Sequence, residues 1–222
     1  MLNAIKKKIE YYTSQAAVWP EQDYELIEHR DAGLFKGKVL NAGCGWRQIN
    51  HLIDGELTNQ DISWPGDTRT HVDVYSPIHE IPNPDGHYDC IICIAVLEHV
   101  ENPEEVVPEF YRVLKPGGIA VVSVPFLQPE HKCPTDFQRY TKDGLKRLFT
   151  HHGFEVLKAK PLFNVFHTFH WQAHIWLNMR NSFKYRLMRL IILPTLVILA
   201  RRSKLQSEKL ASVIQVVVRK PL

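Results

Sequence analysis

Two glycines and two aspartates in the first third of the chain have the types and spacing to hold an adenosine. Gly43 and Gly45, in Ala42-Gly43-Cys44-Gly45, let the backbone turn tightly and approach a ligand closely, which a side chain would prevent. Asp61 follows Gly43 by 18 residues and ends the next expected strand. A carboxylate there can accept both hydroxyls of a ribose. Asp73 ends a third expected strand, within reach of the attached base. The dinucleotide fingerprint requires a third glycine three residues after the second, and that position holds Gln48. The Gly-Lys-Ser/Thr of a P-loop is also missing. Ribose features without phosphate features suit a nucleoside that carries no phosphate.

Elements that could position these residues follow in alternation. Lys38–Asn41 is a short apolar strand running into the glycine turn, Glu56–Gln60 is the second strand, and Thr70–Val74, containing Asp73, is the third. Tyr88–Ala95 is a continuous apolar run, as expected of a central parallel strand buried on both faces. Pro103 opens a helix carried by Val106, Val107, Phe110 and Val113, which Lys115-Pro116-Gly117-Gly118 stops before the strand Ile119–Val124. A helix Thr141–His151, a strand Phe154–Lys158 and a last strand Ser212–Arg219 complete the order. Two helices precede it, Leu2–Gln15 and one from Pro20 to about Asp31. Such alternation predicts an α/β, doubly wound, Rossmann-like sheet whose ligand sits beyond the carboxyl ends of the strands. The expected division is 1–36 N-terminal helices, 37–160 ligand-binding core, 161–210 a basic aromatic insertion and 211–222 the last core strand.

The 222 residues carry 27 basic and 24 acidic side chains, a net charge of +3 that is too mild to argue for nucleic acid. The charge is unevenly placed. Residues 1–160 hold 17 basic against 23 acidic groups, whereas 161–210 hold 8 basic groups against the single Glu208. No apolar run of about 7–15 residues follows the N-terminal lysines, so no export signal is expected and the compartment is read as cytoplasmic. Cys90 and Cys93 form a CxxC inside a strand. Positions three apart on a strand face opposite sides, so the two thiols cannot share a ligand and are read as core residues.

Five motifs in order then carry a family resemblance: Val39–Gly45, the acid in Asn59–Ser63, the acid in His71–Tyr75, Pro84–Pro103 and Arg112–Gly118. Together they resemble the class I S-adenosylmethionine-dependent methyltransferases, most of all their small-molecule "type 11" branch. The resemblance implies a seven-stranded, mostly parallel sheet with a reversed last strand, supplied by Ser212–Arg219, and S-adenosylmethionine as cofactor. It places Ala42, Gly43 and Gly45 beneath the methionine part, Asp61 on the ribose hydroxyls, Asp73 with Val74 at the adenine, and Ala95 in backbone contact. Asn41 departs from the pattern, since the family usually has an acid there for the cofactor's ammonium group. Asn keeps an acceptor and loses the charge.

In this fold the acceptor lies over the ends of strands four and five, near the polar run His131–Thr141. His131 titrates near neutrality and is the expected general base. Asp136 could orient it, Arg139 could clamp an acceptor carboxylate or phosphate, and Tyr140 completes the substrate-binding set. The competing reading is a fastened loop, with Asp136 paired to Arg139 and Thr141 capping the next helix. Glu98 and His99 are read as closing the cofactor site. The Asn/Asp-Pro-Pro-Tyr/Phe tetrapeptide of amino-group methyltransferases is replaced by Ile94-Ala95-Val96-Leu97, which argues against nucleic-acid bases.

The insertion places Phe163, Phe166, Phe169, Trp171 and Trp176 among His167, His170 and His174. The histidines would share a helix face as polar packing, with no Cys or carboxylate near them to complete a metal site. Leu187–Ala200 is apolar between arginines but too short to span a bilayer. It reads as a packing helix or dimer contact, as a roof over an apolar acceptor, or as a helix in peripheral contact with a membrane. The expectation is a methyltransferase acting on a small-molecule or lipid-like acceptor, most of all at oxygen, with no nucleic-acid partner. A non-catalytic S-adenosylmethionine-binding module, favoured by Asn41, and an NAD-dependent oxidoreductase are the alternatives.

Overall fold

Apolar runs bounded by glycine turns form the strands expected of them in the computed structural model, which describes residues 2–18 and 23–222. In chain order the elements are helix α1 (Leu2–Thr13), helix α2 (Tyr24–Asp31), β1 (Lys36–Ala42), β2 (Asp54–Asp61), β3 (Val74–Tyr75) and β4 (Tyr88–Ile94). Next come α3 (Pro103–Val113), β5 (Leu114–Pro125), α4 (Lys142–His151), β6 (Glu155–Leu162), α5 (Val165–Asn178), α6 (Phe183–Arg202) and β7 (Val213–Arg219). Pro20, expected to open the second helix, lies outside the described residues.

The seven strands form one sheet in the order β3-β2-β1-β4-β5-β7-β6, with β1 parallel to both β2 and β4, and β5 parallel to β4. The last strand runs in reverse, as expected. Lys220 N donates to Gly118 O at 2.9 Å and Phe126 N donates to Ser212 O at 2.9 Å, so partner numbers fall along β7 as they rise along β5. The strand order turns back between β1 and β4, which puts the ends of those two strands at the switch point where ligands bind in such sheets.

Strand boundaries shift from the sequence reading, and two of the shifts have a cause in the local hydrogen bonding. The third strand is Val74–Tyr75, and Asp73 stands before it. Asp73 N donates to Asn59 O while Asp73 Oδ2 accepts from Asn59 N, both at 2.8 Å, so a side chain takes the ladder position and pairing begins only at Gln60 opposite Val74. Lys115–Gly118 does not separate helix from strand but lies within β5. There the register jumps from Tyr88 opposite Leu114 to Cys90 opposite Ile119. Gly117, at φ +80, supplies the left-handed turn this bulge needs.

The chain divides into two compact units. A sheet unit comprises 23–125, 132–160 and 214–222; of the described residues, 2–18, 126–131 and 161–213 form a helical unit. In the sheet unit Leu26, Phe35, Val39, Ile49, Cys90, Ile92 and Val121 form a buried apolar cluster. Each such side chain contributes about 1.5–3 kcal/mol. A polar line crosses the same unit: His29 Nε2 donates to Gln215 Oε1 at 2.7 Å, and Gln215 Nε2 donates to Ser123 Oγ at 3.0 Å. Burial holds the His29 pKa below its usual value, so its ring is neutral.

In the helical unit α6 packs against α5 and α1. Ala17, Val18, Val197 and Ala200 form its buried centre. Asn164 opens α5 with a capping box, and its Nδ2 reaches back to Ala200 O and Ser203 O at the end of α6. Arg201 bonds Tyr11 Oη and lies over the Tyr12 ring, which ties α6 to α1.

Candidate functional site

The sheet unit collects its polar groups at the carboxyl ends of β1, β2 and β4. The loop after β1 turns at Gly43, φ +69, where an added Cβ would stand 2.5 Å from Val96 Cγ2. Gly45 is also left-handed, at φ +56, and an added Cβ there would meet nothing within 4 Å, so the backbone borders open space. Gly43 N donates to Gln60 O at 2.9 Å and to Gln60 Oε1 at 3.1 Å, which holds the loop to the end of β2. Its far side is anchored by Arg47, which bonds Asp23 and Glu25 at the start of α2.

Asp61 stands where the sequence placed it, at the end of β2, with its carboxylate against the glycine loop. Oδ2 accepts from Gly45 N at 2.6 Å and from the Arg69 guanidinium at 2.6 Å; Oδ1 accepts from Ile62 N at 2.7 Å. A carboxylate has about four lone-pair sites, and three of these are engaged. One remaining acceptor site on Oδ1 suits one ribose hydroxyl, and a second hydroxyl would have to share or displace a donor on Oδ2.

Sequence reasoning missed Arg69. Its side chain is fully buried; it bonds Asp61, Asp67, Ile62 O and Gly45 O, with Trp64 stacked 3.9 Å from the guanidinium. The one signal was an arginine set among three carboxylates in Asp61–Asp73. The carboxylates hold Arg69 charged, and the Arg69 hydrogen bond in turn draws the Asp67 pKa down to about 2. His71 Nε2 also donates to Gly45 O, at 3.0 Å. Burial, with the Asp61 charge second, pushes the Cys44 thiol up to about 12, so it stays protonated and is no nucleophile.

Asn41 is buried, and its Nδ2 donates to Asn59 Oδ1 at 3.0 Å. Asn59 in turn bonds Asp73, so the three form one line across β1, β2 and the approach to β3. One oxygen of Asp73 is thereby committed to β2; Val74 follows as the first residue of β3. At the end of β4, Ala95 holds φ +56, a left-handed conformation rare for a residue with a Cβ, and its N–H donates to Ser123 O. Strain of this kind costs about 1–3 kcal/mol and is concentrated at binding sites. Cys90 and Cys93 are buried and free, with burial raising both thiols, and no redox pair forms.

The run after residue 132 is fastened to the turn that follows β4. Phe137 N donates to Glu98 O at 2.8 Å, Gln138 Nε2 to Leu97 O and Val100 O, and His99 Nδ1 to Thr135 O. Glu98 and His99 thus belong to the turn, with Glu98 fully buried. Asp136 and Arg139 form a bidentate pair and Thr141 caps α4 through Gly144 N, as the fastened-loop reading expected. The Tyr140 hydroxyl is buried and makes no hydrogen bond among the described residues. Burial and the charges of Glu104 and Glu98 raise its pKa. His131 belongs to the helical unit. There its Nδ1 donates to Pro129 O at 3.0 Å and its ring meets Trp171 at a tilt of 44°, centroids 5.5 Å apart.

A model described as "Methyltransferase domain" matches residues 32–159, more than half of the chain. A Mycolicibacterium smegmatis protein named "Probable S-adenosylmethionine-dependent methyltransferase" is 34% identical over 112 residues, 46% of this chain and 42% of that protein. A "Ubiquinone biosynthesis O-methyltransferase" of Rickettsia bellii is 33% identical over 99 residues, 39% of this chain and 41% of that protein. The matches therefore span less than half the length of these curated relatives. Among solved structures, a SAM-dependent methyltransferase from Archaeoglobus fulgidus superposes with TM-score 0.57 at 17% identity, covering 93% of this chain and 95% of that one. The 4+2 cyclase SpnF superposes with TM-score 0.60 at 18% identity, covering 89% of this chain and 80% of that one. At such identities the structures show the fold alone. With the motif order, the glycine loop, Asp61 and the family match in agreement, the chain belongs to the class I S-adenosylmethionine-dependent methyltransferases.

Proposed function

We propose that the sheet unit binds S-adenosylmethionine and transfers its methyl group to oxygen of a small-molecule or lipid-like acceptor. The observation that carries this reading is the Asp61 carboxylate, held on Gly45 N beside open space, with an acceptor site left on Oδ1. Ala42, Gly43 and Gly45 would pass beneath the methionine part, Asp61 would take a ribose hydroxyl, Asp73 with Val74 would face the adenine, and Ala95 would supply backbone contact. When bound, the cofactor supplies a sulfonium methyl carbon that an acceptor oxygen can attack in line as the carbon–sulfur bond breaks. Most of what a protein adds to such a displacement is orientation. A neutral hydroxyl acceptor must also lose a proton. His131, with Nδ1 donating to Pro129 O, is the proposed base. Tyr140 and the Asp136–Arg139 pair would contact the acceptor. The Rickettsia relative's name supports oxygen as the methylated atom.

Titration calorimetry with S-adenosylmethionine, S-adenosylhomocysteine and NAD, on the wild type and on Asp61→Asn, tests the cofactor site. Binding of the first two, lost in the variant, supports it, and methyl transfer that survives His131→Ala removes the base assignment. The buried Asn41, engaged with Asn59, favours a second reading, a binding module without transfer. Cofactor binding with no turnover on any hydroxyl acceptor would establish that reading instead.

A further inference from the structure

The last turn of α5 and the first half of α6 expose large apolar side chains where a soluble surface would carry polar ones. Phe183 is 83% exposed and Met179 76%, and Trp176, Leu187 and Ile191 are also exposed. Phe183, Leu187 and Ile191 recur at four-residue steps on α6 and so share one face. Met179 and Trp176 come from the end of α5, which the Trp176–Tyr185 ring contact joins to α6. Bulky, contiguous apolar exposure of this kind marks an interaction surface.

Charge identifies the partner. Between Glu155 and Glu208 the sequence has no carboxylate, while Arg180, Lys184, Arg186 and Arg189 surround this face. Among the described residues Arg186 and Arg189 bond neutral amide oxygens, those of Asn181 and Asn178, so their charge is oriented but not neutralised. No described helix is long and apolar enough to cross a membrane. Apolar side chains with an interfacial tryptophan, ringed by cations, match the boundary between anionic headgroups and acyl chains.

We propose that the end of α5 and the start of α6 form a docking surface for anionic phospholipid membranes, with Phe183, Met179 and Trp176 entering the acyl boundary. Arg180, Lys184, Arg186 and Arg189 lie against the headgroup phosphates. The assignment is independent of methyl transfer, since it rests on the helical unit alone.

The test is co-sedimentation of the full chain with phosphatidylcholine vesicles, with and without phosphatidylglycerol, at low and physiological salt. Binding is expected only to the anionic vesicles and weaker as salt rises. The exposed double change Arg180→Gln with Lys184→Gln is expected to weaken it about thirtyfold. Phe183→Ser with Met179→Ser is expected to weaken it at least about tenfold, with circular dichroism unchanged. Absence of sedimentation at low salt overturns the proposal, as does equal binding to neutral vesicles. A dimer that Phe183→Ser dissociates, without vesicle binding, would assign the face to a second copy of the chain and overturn it too.

Discussion

The two units treat charge in opposite ways. The sheet unit buries charged groups and pairs them: Arg69 with Asp61 and Asp67, Arg47 with Asp23, and Arg139 with Asp136. The helical unit buries neutral histidines instead and exposes cations with no carboxylate from 156 to 207. His167 is buried with Nδ1 accepting from Asn164 N, and His170 is fully buried with neither ring nitrogen hydrogen-bonded. Fixed pairs suit a site that must keep one geometry for a ligand. Uncompensated surface cations beside apolar side chains suit a partner that is itself anionic and apolar. One chain can therefore combine a rigid site with an adhesive surface by restricting its acids to one part of its sequence.

The largest expected effect comes from breaking the buried pairing. Arg69→Met leaves Asp61 and Asp67 without their cation and should destabilise the sheet unit by about 3–5 kcal/mol in urea unfolding. A loss below about 1 kcal/mol would mean that pairing is not what distinguishes this unit.

The helical unit should instead be sensitive to acid. Burial lowers the His167 and His170 pKa values to about 4 each, from an ordinary 6.5. In that interval the unfolded chain binds more protons than the folded one, so stability is complete above about pH 6.5 and falls as pH drops toward 4. The loss should approach about 3 kcal/mol per histidine, read from thermal melts followed by tryptophan fluorescence. His170→Leu removes an unsatisfied buried ring and should flatten that slope while raising Tm. An unchanged slope would sink the assignment.

A smaller effect is expected at the glycine loop. Gly43→Ala meets both a left-handed φ and the Val96 side chain, and should cost about 1–3 kcal/mol of stability and weaken cofactor binding in calorimetry. Binding equal to wild type would show that the loop moves freely. The smallest is Asn41→Asp, which restores a charge at the position associated with the cofactor's ammonium group. It should tighten S-adenosylmethionine by about three- to tenfold, and weaker binding would mean that losing the Asn41–Asn59 bond outweighs the added charge.

Much of the sheet unit was legible before folding. The run Tyr88–Ile94 is apolar apart from Asp89 because a central strand is covered on both faces, and Tyr88 and Cys90–Cys93 are buried. Thr141 caps α4 because the cap is a contact over three residues, visible in local sequence. Asp61 was legible for the same reason, its place being fixed by strand length and the glycine turn. Asp73 was expected within the third strand and stands just before it, because its side chain substitutes for the β2–β3 ladder, which period-two patterning cannot reveal. Arg69 went unseen because its partners converge from the glycine loop, the end of β2 and its own loop.

By itself the sequence determined what depends on neighbours along the chain: the glycines at positive φ, the alternation of strands and helices, the caps, and the confinement of acids away from 156–207. Only the tertiary structure decided which distant groups meet. Gln215 bonds His29 across 186 residues, Asp61 spends three of its acceptor sites on protein donors, and residues 126–131 belong with the helices and not with the strand that precedes them. The physical reason is range. Backbone sterics and hydrophobic periodicity act within a few residues and are written locally, whereas the partner of a buried polar group is whichever group the closed chain brings within about 3 Å.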